Sequence, residues 1–490
     1  MISEAELLER IPTGLHIDGR WREAANGGRF DVTDPATELL LARVADASPE
    51  DGAAALDAAA RAQRDWERTA PRERAEILRR AFDLVTARAD EFALAMTLEM
   101  GKPLAEARGE VAYGAEFLRW FSEEAPRVAG RYATAPDGRN RLLVVKRPVG
   151  PCLFITPWNF PLAMATRKIA PAIAAGCTMV LKPAALTPLT ALLLTQVLEE
   201  AGLPAGVLNV IPTTRAGAVT GPLIKDSRLR KLSFTGSTEV GRRLIADSAD
   251  QVLKVSMELG GNAPFLVFED ADIDAAVEGA VLAKMRNGGE ACVAANRFLV
   301  HESVAEEFSE AFTARMAAFH PARGTDPAST IGPMVDAATR DKIVSLVDGA
   351  VEDGARIALG GSALPGPGYF YRPTVLVDVP ADARILDEEI FGPVAPITTF
   401  RDEEQAIRLA NATPFGLVCF AYTRDLDRAL RLAEDLETGM LGINAGVVSN
   451  PAAPFGGVKQ SGLGREGGIE GIEEYLETRY VGIADPTRKD

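Results

Sequence analysis

The chain of 490 residues has few of the side chains that bind metals, with only three histidines and four cysteines. No C-x-x-C pair and no other Cys/His spacing typical of zinc is present, so we expect no metal site. The first residues, Met-Ile-Ser-Glu-Ala-Glu, are acidic and lack the basic and apolar segments of a secretory signal. Together with cysteines that show no pairing pattern, this favours a protein of the reducing cytoplasm.

Long apolar runs and an excess of positive charge are also missing. Proline, glycine or charge interrupts every apolar stretch well short of the ~20 residues of a membrane-spanning helix. The 53 basic and 69 acidic residues give a net charge of −16, which disfavours binding to nucleic acid and to anionic membranes. The composition is that of a globular protein, and the length predicts two or more domains.

One cysteine has a different setting from the other three. Cys152, Cys177 and Cys419 lie in apolar runs, which is typical of packing residues on buried strands. Cys292 follows Gly288-Gly289 and polar residues, where backbone N–H groups can approach a substrate and little apolar bulk covers the sulfur. We therefore predict that Cys292 is a nucleophile. The alternative is a fourth packing cysteine.

A base is needed to activate such a thiol. None of the three histidines, His16, His301 and His320, lies in a glycine-rich or motif-like segment, so the sequence does not favour a Cys–His pair. Glu258 ends a strand-like run and precedes a Gly-Gly turn. Partial desolvation in that setting can raise the pKa of the carboxyl toward neutrality. We predict that Glu258 is the base, and the alternative is an ordinary glutamate at the end of a strand.

From Val149 onward, strand-like and helix-like segments alternate. Strands are predicted at 151–156, 177–182, 207–211, 230–234, 252–257 and 264–268. This alternation predicts an α/β fold with a parallel sheet covered on both faces, whose ligands bind at the carboxyl ends of the strands. Candidate residues stand at those ends: Trp158 and Asn159, Lys182, Gly236 and Ser237, and Glu258.

A β-hairpin is predicted at 131–147, with its turn at Pro136-Asp137-Gly138. The edges of a hairpin expose backbone groups that need to be covered. The tail from Tyr475 to Ile483 is a second, isolated strand-like run. Either the hairpin and the tail pair within one chain, or they join two copies of it.

Several of these motifs occur together in one known family. Glu258-Leu259-Gly260-Gly261-Asn262, followed by a glycine-loop cysteine at Cys292, resembles the aldehyde dehydrogenase superfamily. The similarity continues from about Ile17 to Ile483. Within the superfamily, the segments Arg286 to Asn296 and Gly442 to Gly467 are most similar to the NAD(P)-dependent succinate-semialdehyde dehydrogenases.

The resemblance implies an α/β fold with two parallel-sheet domains and a β-hairpin flap for oligomerisation. The cofactor-binding, Rossmann-like domain would comprise 1–130 and 148–258, and the catalytic domain 259–440. Segments 131–147 and 470–490 would form the oligomerisation flap, and 441–469 would line the pocket and return to the cofactor domain. The expected assembly is a homo-oligomer, either a dimer or a tetramer.

The resemblance also implies a set of cofactor contacts, although the dinucleotide fingerprint G-x-G-x-x-G is absent. The implied contacts are Trp158, Asn159, Lys182, Ala184, Ala185, Gly236, Ser237, Leu259, Glu389 and Phe391. NAD-preferring relatives carry a glutamate where this chain has Ala185, and that carboxylate would repel a 2′-phosphate. We therefore expect NADP or NAD as cofactor, with NADP favoured. Ala185 could also simply tolerate both cofactors.

The implied reaction is oxidation of an aldehyde by way of a thioester on Cys292. The Asn159 amide would stabilise the oxyanion, and Glu258 would activate water. Arg167, Arg286 and Ser449 match carboxylate-binding positions, which indicates succinate semialdehyde or a similar ω-carboxy aldehyde.

Three other functions remain open. Glutarate semialdehyde is one methylene longer than succinate semialdehyde and is a close rival as substrate. A general aliphatic or aromatic aldehyde dehydrogenase is the second alternative, in which the arginines do not face the pocket. The third is a catalytically idle oligomeric binding protein.

One position departs from the subfamily pattern. Glu290 stands two residues before the nucleophile, where the subfamily usually has glutamine. A carboxylate close to the sulfur would disfavour the thiolate by charge repulsion. Three interpretations are open: the carboxyl points away from the sulfur, it pairs with a base, or it alters the handling of substrate.

Overall fold

The computed structural model describes residues 2–485 and 487 of the chain. The predicted flap segment 470–490 includes residues 486 and 488–490, which lie outside the described part. Helices in the described part are α1 Glu4–Arg10, α2 Pro49–Trp66, α3 Pro71–Ala87, α4 Ala89–Met100, α5 Leu104–Glu124, α6 Ala163–Ala175, α7 Leu189–Glu200, α8 Ala216–Ile224, α9 Thr238–Ser248, α10 Ile273–Met285, α11 Ala305–Ala317, α12 Ala337–Glu352, α13 Glu403–Asn411, α14 Leu426–Asp435 and α15 Glu470–Glu473.

The strands form two large sheets and three small ones. They are β1 Leu15–Ile17, β2 Arg20–Arg22, β3 Arg29–Thr33, β4 Leu40–Ala45, β5 Arg131–Thr134, β6 Asn140–Pro148, β7 Cys152–Ile155, β8 Met179–Lys182, β9 Leu208–Val210, β10 Lys231–Thr235, β11 Lys254–Glu258, β12 Ala263–Val267, β13 Ala295–His301, β14 Arg356–Leu359, β15 Thr374–Val377, β16 Val394–Phe400, β17 Phe415–Gly416, β18 Val418–Tyr422, β19 Met440–Ile443, β20 Val458–Lys459, β21 Gly462–Leu463 and β22 Leu476–Ala484.

The larger sheet has the strand order β2-β1-β9-β8-β7-β10-β11-β21. Its five central strands, β9-β8-β7-β10-β11, are parallel to one another. Leu153 and Phe154 are neighbours on β7 but belong to hydrophobic cores on opposite faces of the sheet, as strand geometry requires. The six strands predicted between 151 and 268 are all present, as β7 to β12. Cys177 is buried as expected, but it lies just before β8 and not on the strand.

The second sheet has the strand order β14-β15-β16-β13-β12-β18-β19. All its pairs are parallel except β14 with β15. The first sheet ends its parallel run with β11 at Glu258, and the second begins with β12 at Ala263. The short segment 259–262 therefore joins the two sheets at the carboxyl end of β11.

The predicted hairpin and the tail strand form a separate sheet with the order β22-β6-β5. Both pairings are antiparallel and lie within one chain. Of the two alternatives that the sequence left open, pairing of the hairpin with the tail inside one chain is the one seen in the single chain. All four residues of β5 are exposed. Tyr132, Tyr480, Val481 and Ile483 are large apolar residues that this sheet leaves in solvent.

Two features are absent from the described residues. No helix among them combines the length and the apolar character needed to cross a bilayer. Nor does that part of the chain bring three or more His, Cys, Asp or Glu side chains together in a way that could hold a metal ion.

Candidate active site

The loop that carries Cys292 is a tight turn after α10. Asn287, Gly288 and Gly289 have positive φ angles of 57°, 63° and 80°, a run of left-handed residues that favours glycine. A Cβ at Gly289 would lie 2.2 Å from the backbone oxygen of Gly392, so any side chain there would collide. The turn leaves Cys292 as a free and partly exposed thiol, whereas the other three cysteines are buried.

Cys292 lines a cavity of about 230 Å³. The carboxyl ends of β7, β10 and β11 form one wall of this cavity, which is the expected ligand position in a parallel sheet. The cavity is lined by nine of the predicted residues, which are Trp158, Asn159, Gly236, Ser237, Glu258, Leu259, Cys292, Glu389 and Phe391. The proposed nucleophile and base therefore share one cavity.

Glu258 is the last residue of β11, and it is 3% exposed. Neither carboxyl oxygen has a hydrogen-bond partner among the described residues. Burial raises the pKa of Glu258 well above its ordinary value, and the nearby Glu466 raises it further. A buried, unpartnered carboxyl on a cavity wall is suited to accept a proton from a thiol or from water.

Cys292 is also shifted toward its neutral form. Burial raises the pKa of the thiol to about 12, and the charges of Arg167 and Arg286 offset only part of this effect. In the absence of ligands the sulfur is therefore a thiol at neutral pH. Because the thiolate is the nucleophile, Cys292 requires a base. Two carboxyls share its cavity, Glu258 and Glu389; Glu389 accepts a backbone hydrogen bond, and Glu258 is the one without a partner among the described residues.

Asn159 follows β7 and is fixed beside the cysteine loop. Its side-chain Nδ2 donates to the backbone oxygen of Glu290 at 3.0 Å. Its own backbone oxygen accepts from Lys102 Nζ at 2.8 Å and from Asn287 Nδ2 at 3.0 Å. Asn159 thus presents an amide donor at the wall that carries the nucleophile, the position an oxyanion donor needs.

Glu290 is directed toward the chain before α12. Its Oε1 accepts from the backbone N–H of Val335 at 3.0 Å, and no ion pair of Glu290 occurs in the described residues. Burial raises the pKa of this carboxyl well above its ordinary value, and Lys102 offsets only part of that shift. Of the three interpretations, a carboxyl that points away from the sulfur therefore describes the structure. A neutral acid in this position resembles glutamine in charge and hydrogen bonding.

The amino terminus of α9 faces the cavity with Gly236 and Ser237. Ser237 caps the helix, and its Oγ accepts from the backbone N–H of Val240 at 3.5 Å. Free N–H groups at a helix start bind phosphate, and the buried Thr235 Oγ1 beside them has no partner among the described residues. This end of the cavity therefore fits the phosphates of a dinucleotide.

Three predicted cofactor residues stand apart from this cavity wall. Lys182 ends β8, and Ala184 and Ala185 follow it. Lys182 is 8% exposed, and burial lowers the pKa of its amine to about 8. The structure leaves these three on the neighbouring strand end, where their cofactor contacts stay a prediction.

The opposite wall of the cavity comes from the second sheet region. Glu389 Oε1 accepts from the backbone N–H of Gly261 at 3.1 Å, and burial raises its pKa to about 7. The ring of Phe391 meets the ring of Trp158 edge-on, with centroids 5.4 Å apart. These side chains leave a slot with an apolar wall and a carboxyl, which fits a nicotinamide ribose and ring.

Two of the predicted carboxylate-binding residues are in contact. Arg286 Nη1 donates to Ser449 Oγ at 3.2 Å. The guanidinium carbon of Arg286 lies 5.2 Å from the ring centroid of Phe160 and 5.4 Å from that of Tyr113. Arg286 also lines a second cavity of about 410 Å³ together with Phe160. The arginine and the serine therefore form one polar group beside the cysteine loop.

Arg167, the third predicted carboxylate contact, is paired with a protein acid. Its Nη2 lies 2.7 Å from Glu466 Oε2, and both side chains are almost fully buried. Its guanidinium carbon is 3.9 Å from the ring centroid of Phe455. Burial alone would lower the pKa of Arg167, but the charge of Glu466 raises it. The structure therefore places Arg167 behind the pocket in an ion pair, and its contact with substrate stays a prediction.

Sequence reasoning missed several residues of the site. Thr339 and Lys342 of α12 line the cysteine cavity, and Lys342 Nζ donates to the backbone oxygen of Glu389 at 2.6 Å. Glu466 pairs with Arg167 and with Lys168. These residues belong to ordinary helical or loop sequence, and no motif of this chain distinguishes them.

The two α/β sheets, the cavity at their junction and the cysteine–carboxylate pair define an oxidoreductase of the nicotinamide type with a covalent nucleophile. The chain matches the aldehyde dehydrogenase family over residues 21–481. It is 68% identical to a succinate-semialdehyde dehydrogenase of Paenarthrobacter nicotinovorans over 447 residues, which is 91% of this chain and 99% of the relative. It is 48% identical to a glutarate-semialdehyde dehydrogenase of Pseudomonas putida over 469 residues, covering 96% and 97% of the two chains.

Solved structures lead to the same family. A crystal structure of an Escherichia coli NADP dependent enzyme superposes with a TM-score of 0.96 at 48% identity, covering 99% of this chain and all of the other. The protein therefore belongs to the aldehyde dehydrogenase family. The predicted family, the α/β fold and NAD(P)-dependent oxidation of an aldehyde to an acid are confirmed.

Proposed function

We propose that this protein oxidises succinate semialdehyde, or a similar ω-carboxy aldehyde, to the dicarboxylic acid. The observation that carries the proposal is the hydrogen bond from Arg286 to Ser449. Arg286 stands six residues before the proposed nucleophile in sequence. A guanidinium beside a hydroxyl is a receptor for a carboxylate, because both donors can reach its oxygens. The names of the two semialdehyde dehydrogenase relatives support the same substrate class.

The proposed chemistry uses three side chains of the cavity. Cys292 Sγ gives its proton to Glu258 and attacks the aldehyde carbon, forming a thiohemiacetal. Asn159 and the backbone N–H of Cys292 stabilise the oxyanion, and one such donor contributes about 2.7–4 kcal/mol. When bound, the nicotinamide cofactor supplies the hydride acceptor. Glu258 releases the proton from Cys292 to solvent and, as a carboxylate again, deprotonates the water that hydrolyses the thioester on Cys292 and releases the acid.

Glutarate semialdehyde is the second candidate substrate. It differs by one methylene, which is worth only about 1–3 kcal/mol of discrimination. A general aldehyde dehydrogenase would not require a carboxylate receptor beside the cysteine loop. The contact between Arg286 and Ser449 therefore favours the acidic substrates over unsubstituted ones.

For the cofactor, we propose that NADP is preferred over NAD. Ala185 supplies no carboxylate to repel a 2′-phosphate, and the buried amine of Lys182 lies on the same strand end.

Cofactor binding is assigned to 1–130 and 148–258 and catalysis to 259–440, with 441–469 lining the pocket. The two large sheets support this division, because each lies almost entirely within one of these parts.

The assembly we propose is a homo-oligomer, a dimer or a tetramer, formed through the sheet β22-β6-β5. The exposed Tyr132, Tyr480, Val481 and Ile483 on this sheet support it, because exposed apolar surface marks interfaces.

The proposed location is the cytoplasm, and the four free cysteines support a reducing compartment.

The substrate proposal is tested by steady-state kinetics of the wild type and of Arg286→Ala. Succinate semialdehyde, glutarate semialdehyde and butyraldehyde are compared with each cofactor. Loss of a hydrogen bond to a charged group costs about 1.5–3 kcal/mol, so kcat/KM for the two acidic substrates should fall by roughly 10–100-fold. The value for butyraldehyde should stay within about threefold.

The matched control is Arg139→Ala, which removes an exposed arginine from the turn between β5 and β6. It should change none of the three values. Equal losses on acidic and neutral aldehydes in Arg286→Ala would reject the carboxylate assignment and leave a general aldehyde dehydrogenase.

A further inference from the structure

Tyr113 on α5 carries a buried polar group that the proposed mechanism does not use. Its hydroxyl oxygen is inaccessible to solvent and has no hydrogen-bond partner among the described residues. A buried hydroxyl without a partner costs free energy and is uncommon in native proteins. In an active site, such a group indicates a ligand that supplies the missing acceptor.

The surroundings of Tyr113 place it on the substrate side of the nucleophile. Its ring packs against a hydrophobic cluster that includes Phe160, Met164 and the cysteine-loop residues Ala291 and Ala294. The guanidinium of Arg286 lies 5.4 Å from the ring centroid. Tyr113 thus contacts both the loop that carries Cys292 and the arginine proposed to bind the carboxylate.

The charges around the hydroxyl favour an anionic acceptor. Burial raises the pKa of Tyr113, although the charges of Arg167 and Arg286 and the nearby Ser449 hydroxyl lower it. Glu466 is the acid that faces the group, and its charge is already paired with Arg167. The phenol therefore keeps its proton at neutral pH and is available to donate it in a hydrogen bond.

Arg167 is less available than its position in the sequence indicates. Its guanidinium is buried against Glu466 and Phe455, and releasing it would leave Glu466 without its partner at a considerable cost. A substrate carboxylate at Arg286 and Ser449 has further acceptor sites on its two oxygens, and another donor can use them. Among the described residues of this pocket, Tyr113 has the unpartnered hydroxyl.

We infer that the Tyr113 hydroxyl donates a hydrogen bond to the ω-carboxylate of the substrate and completes the receptor formed by Arg286 and Ser449. This inference rests on the proposed function. It makes Tyr113 a specificity residue for acidic aldehydes. The ring serves packing, and the hydroxyl serves recognition.

The test is Tyr113→Phe, which removes the hydroxyl and keeps the ring. For succinate semialdehyde, KM should rise and kcat/KM should fall by about tenfold or more, the size of a hydrogen bond to a charged group. For butyraldehyde, kcat/KM should not fall. Succinate should inhibit the variant more weakly, with butyraldehyde as the varied substrate. The midpoint of thermal unfolding should not decrease, because the free protein loses no hydrogen bond.

The matched control is Tyr371→Phe, which removes another buried hydroxyl without a partner from a core cluster of the second sheet region. It should leave the ratio of acidic to neutral substrate unchanged. Equal losses on both aldehydes in Tyr113→Phe, or a lower unfolding midpoint with unchanged selectivity, would overturn the inference.

Arg286→Ala separates this inference from the proposed function. If Arg286→Ala loses only the acidic substrate while Tyr113→Phe loses nothing, the substrate proposal stands and the role of Tyr113 is wrong. If neither variant changes selectivity, the proposed function is wrong, and the inference falls with it.

Discussion

At the scale of single residues, the site consists of ionisable groups whose neutral forms burial favours. The pKa values of the Cys292 thiol and the Glu258 carboxyl are both raised by burial. A buried base with a raised pKa binds a proton strongly once it has lost it. Their shared cavity therefore allows proton transfer from sulfur to carboxyl without exposing a charge to bulk water.

Glu290 gives a prediction on pH and stability. Its pKa is raised in the folded state by burial, so the folded chain binds more protons than the unfolded chain above the ordinary glutamate pKa of about 4.3. Stability is then lost as pH rises toward the folded-state pKa. Glu290→Gln removes this loss because an amide can accept from Val335 without titrating.

We expect Glu290→Gln to keep its activity and to gain thermal stability relative to the wild type as pH increases from about 5 to about 9. Differential scanning calorimetry at several pH values measures the difference in unfolding midpoint. Glu302→Gln, on the protein surface, is the control and should show no such trend. A constant difference across this range would contradict a neutral, buried Glu290.

At the scale of elements, the proposed cofactor site lies at strand ends and at the start of a helix. Ser237 follows β10 and caps α9 beside the cavity, and Lys182 ends β8 in the same sheet as β10. Parallel strands bring these segments to one edge although they are far apart in sequence. We propose Ala185, a loop residue after β8, as the position that discriminates for the 2′-phosphate.

Ala185→Glu should shift the preference from NADP toward NAD. A carboxylate at this position repels the 2′-phosphate of NADP and can accept hydrogen bonds from the ribose hydroxyls of NAD. The ratio of kcat/KM for NADP to that for NAD should fall by about tenfold or more, equivalent to at least ~1.4 kcal/mol. Ala185→Gln, of similar size but without charge, is the control and should shift the ratio much less. An unchanged ratio in Ala185→Glu would show that residue 185 does not face the ribose.

The sequence predicted the strands themselves better than it predicted which strands pair with each other. Alternating apolar runs predicted β7 to β12, because a buried parallel strand is an uninterrupted apolar segment between turns. The pairing of β22 with β6 was not decided by the sequence, because a strand pattern specifies faces but not the partner. Lys342 was missed for a related reason: it lies on a helix whose pattern records packing and not the cavity it borders.

The same limit applies within the candidate site. Cys292 and Glu258, which share one cavity, could be selected as candidates because a polar residue next to glycines at a strand or helix end is unusual. Arg167 was predicted as a substrate contact, and its pairing with Glu466 depends on a residue 299 positions away. The sequence gives no indication that two residues so far apart are in contact, so this ion pair could be identified only from the structure.

At the scale of the whole molecule, the site lies where the two large sheets meet. The segment from Glu258 to Asn262 ends one sheet and begins the other. A Cβ at Gly261 would lie 2.6 Å from the backbone oxygen of Cys292, so the connection packs directly on the nucleophile loop. Base and nucleophile are therefore held together by the junction of the two parts and not by either part alone.

The exposed sheet gives a prediction about assembly. Val481 and Ile483 lie on one face of β22, because side chains alternate along a strand, and they are 37% and 43% exposed. The double variant Val481→Asp, Ile483→Asp should sediment as a smaller species than the wild type. Val351→Asp, an exposed valine on α12, is the control and should keep the size of the wild type. An unchanged sedimentation coefficient in the double variant would contradict assembly through this sheet.

The most direct test of the account is the fate of the acyl group in Glu258→Gln. This variant keeps the nucleophile but lacks the base for both thiol activation and hydrolysis, so both steps should slow. Succinate semialdehyde and NADP should give about one NADPH per active site, formed more slowly than in the wild type, with little further turnover. Mass spectrometry of the protein stopped after this first equivalent should locate a succinyl group on the peptide that contains Cys292. Turnover at the rate of the wild type, or an acyl group on any other residue, would contradict the assignment of Cys292 and Glu258 to one reaction.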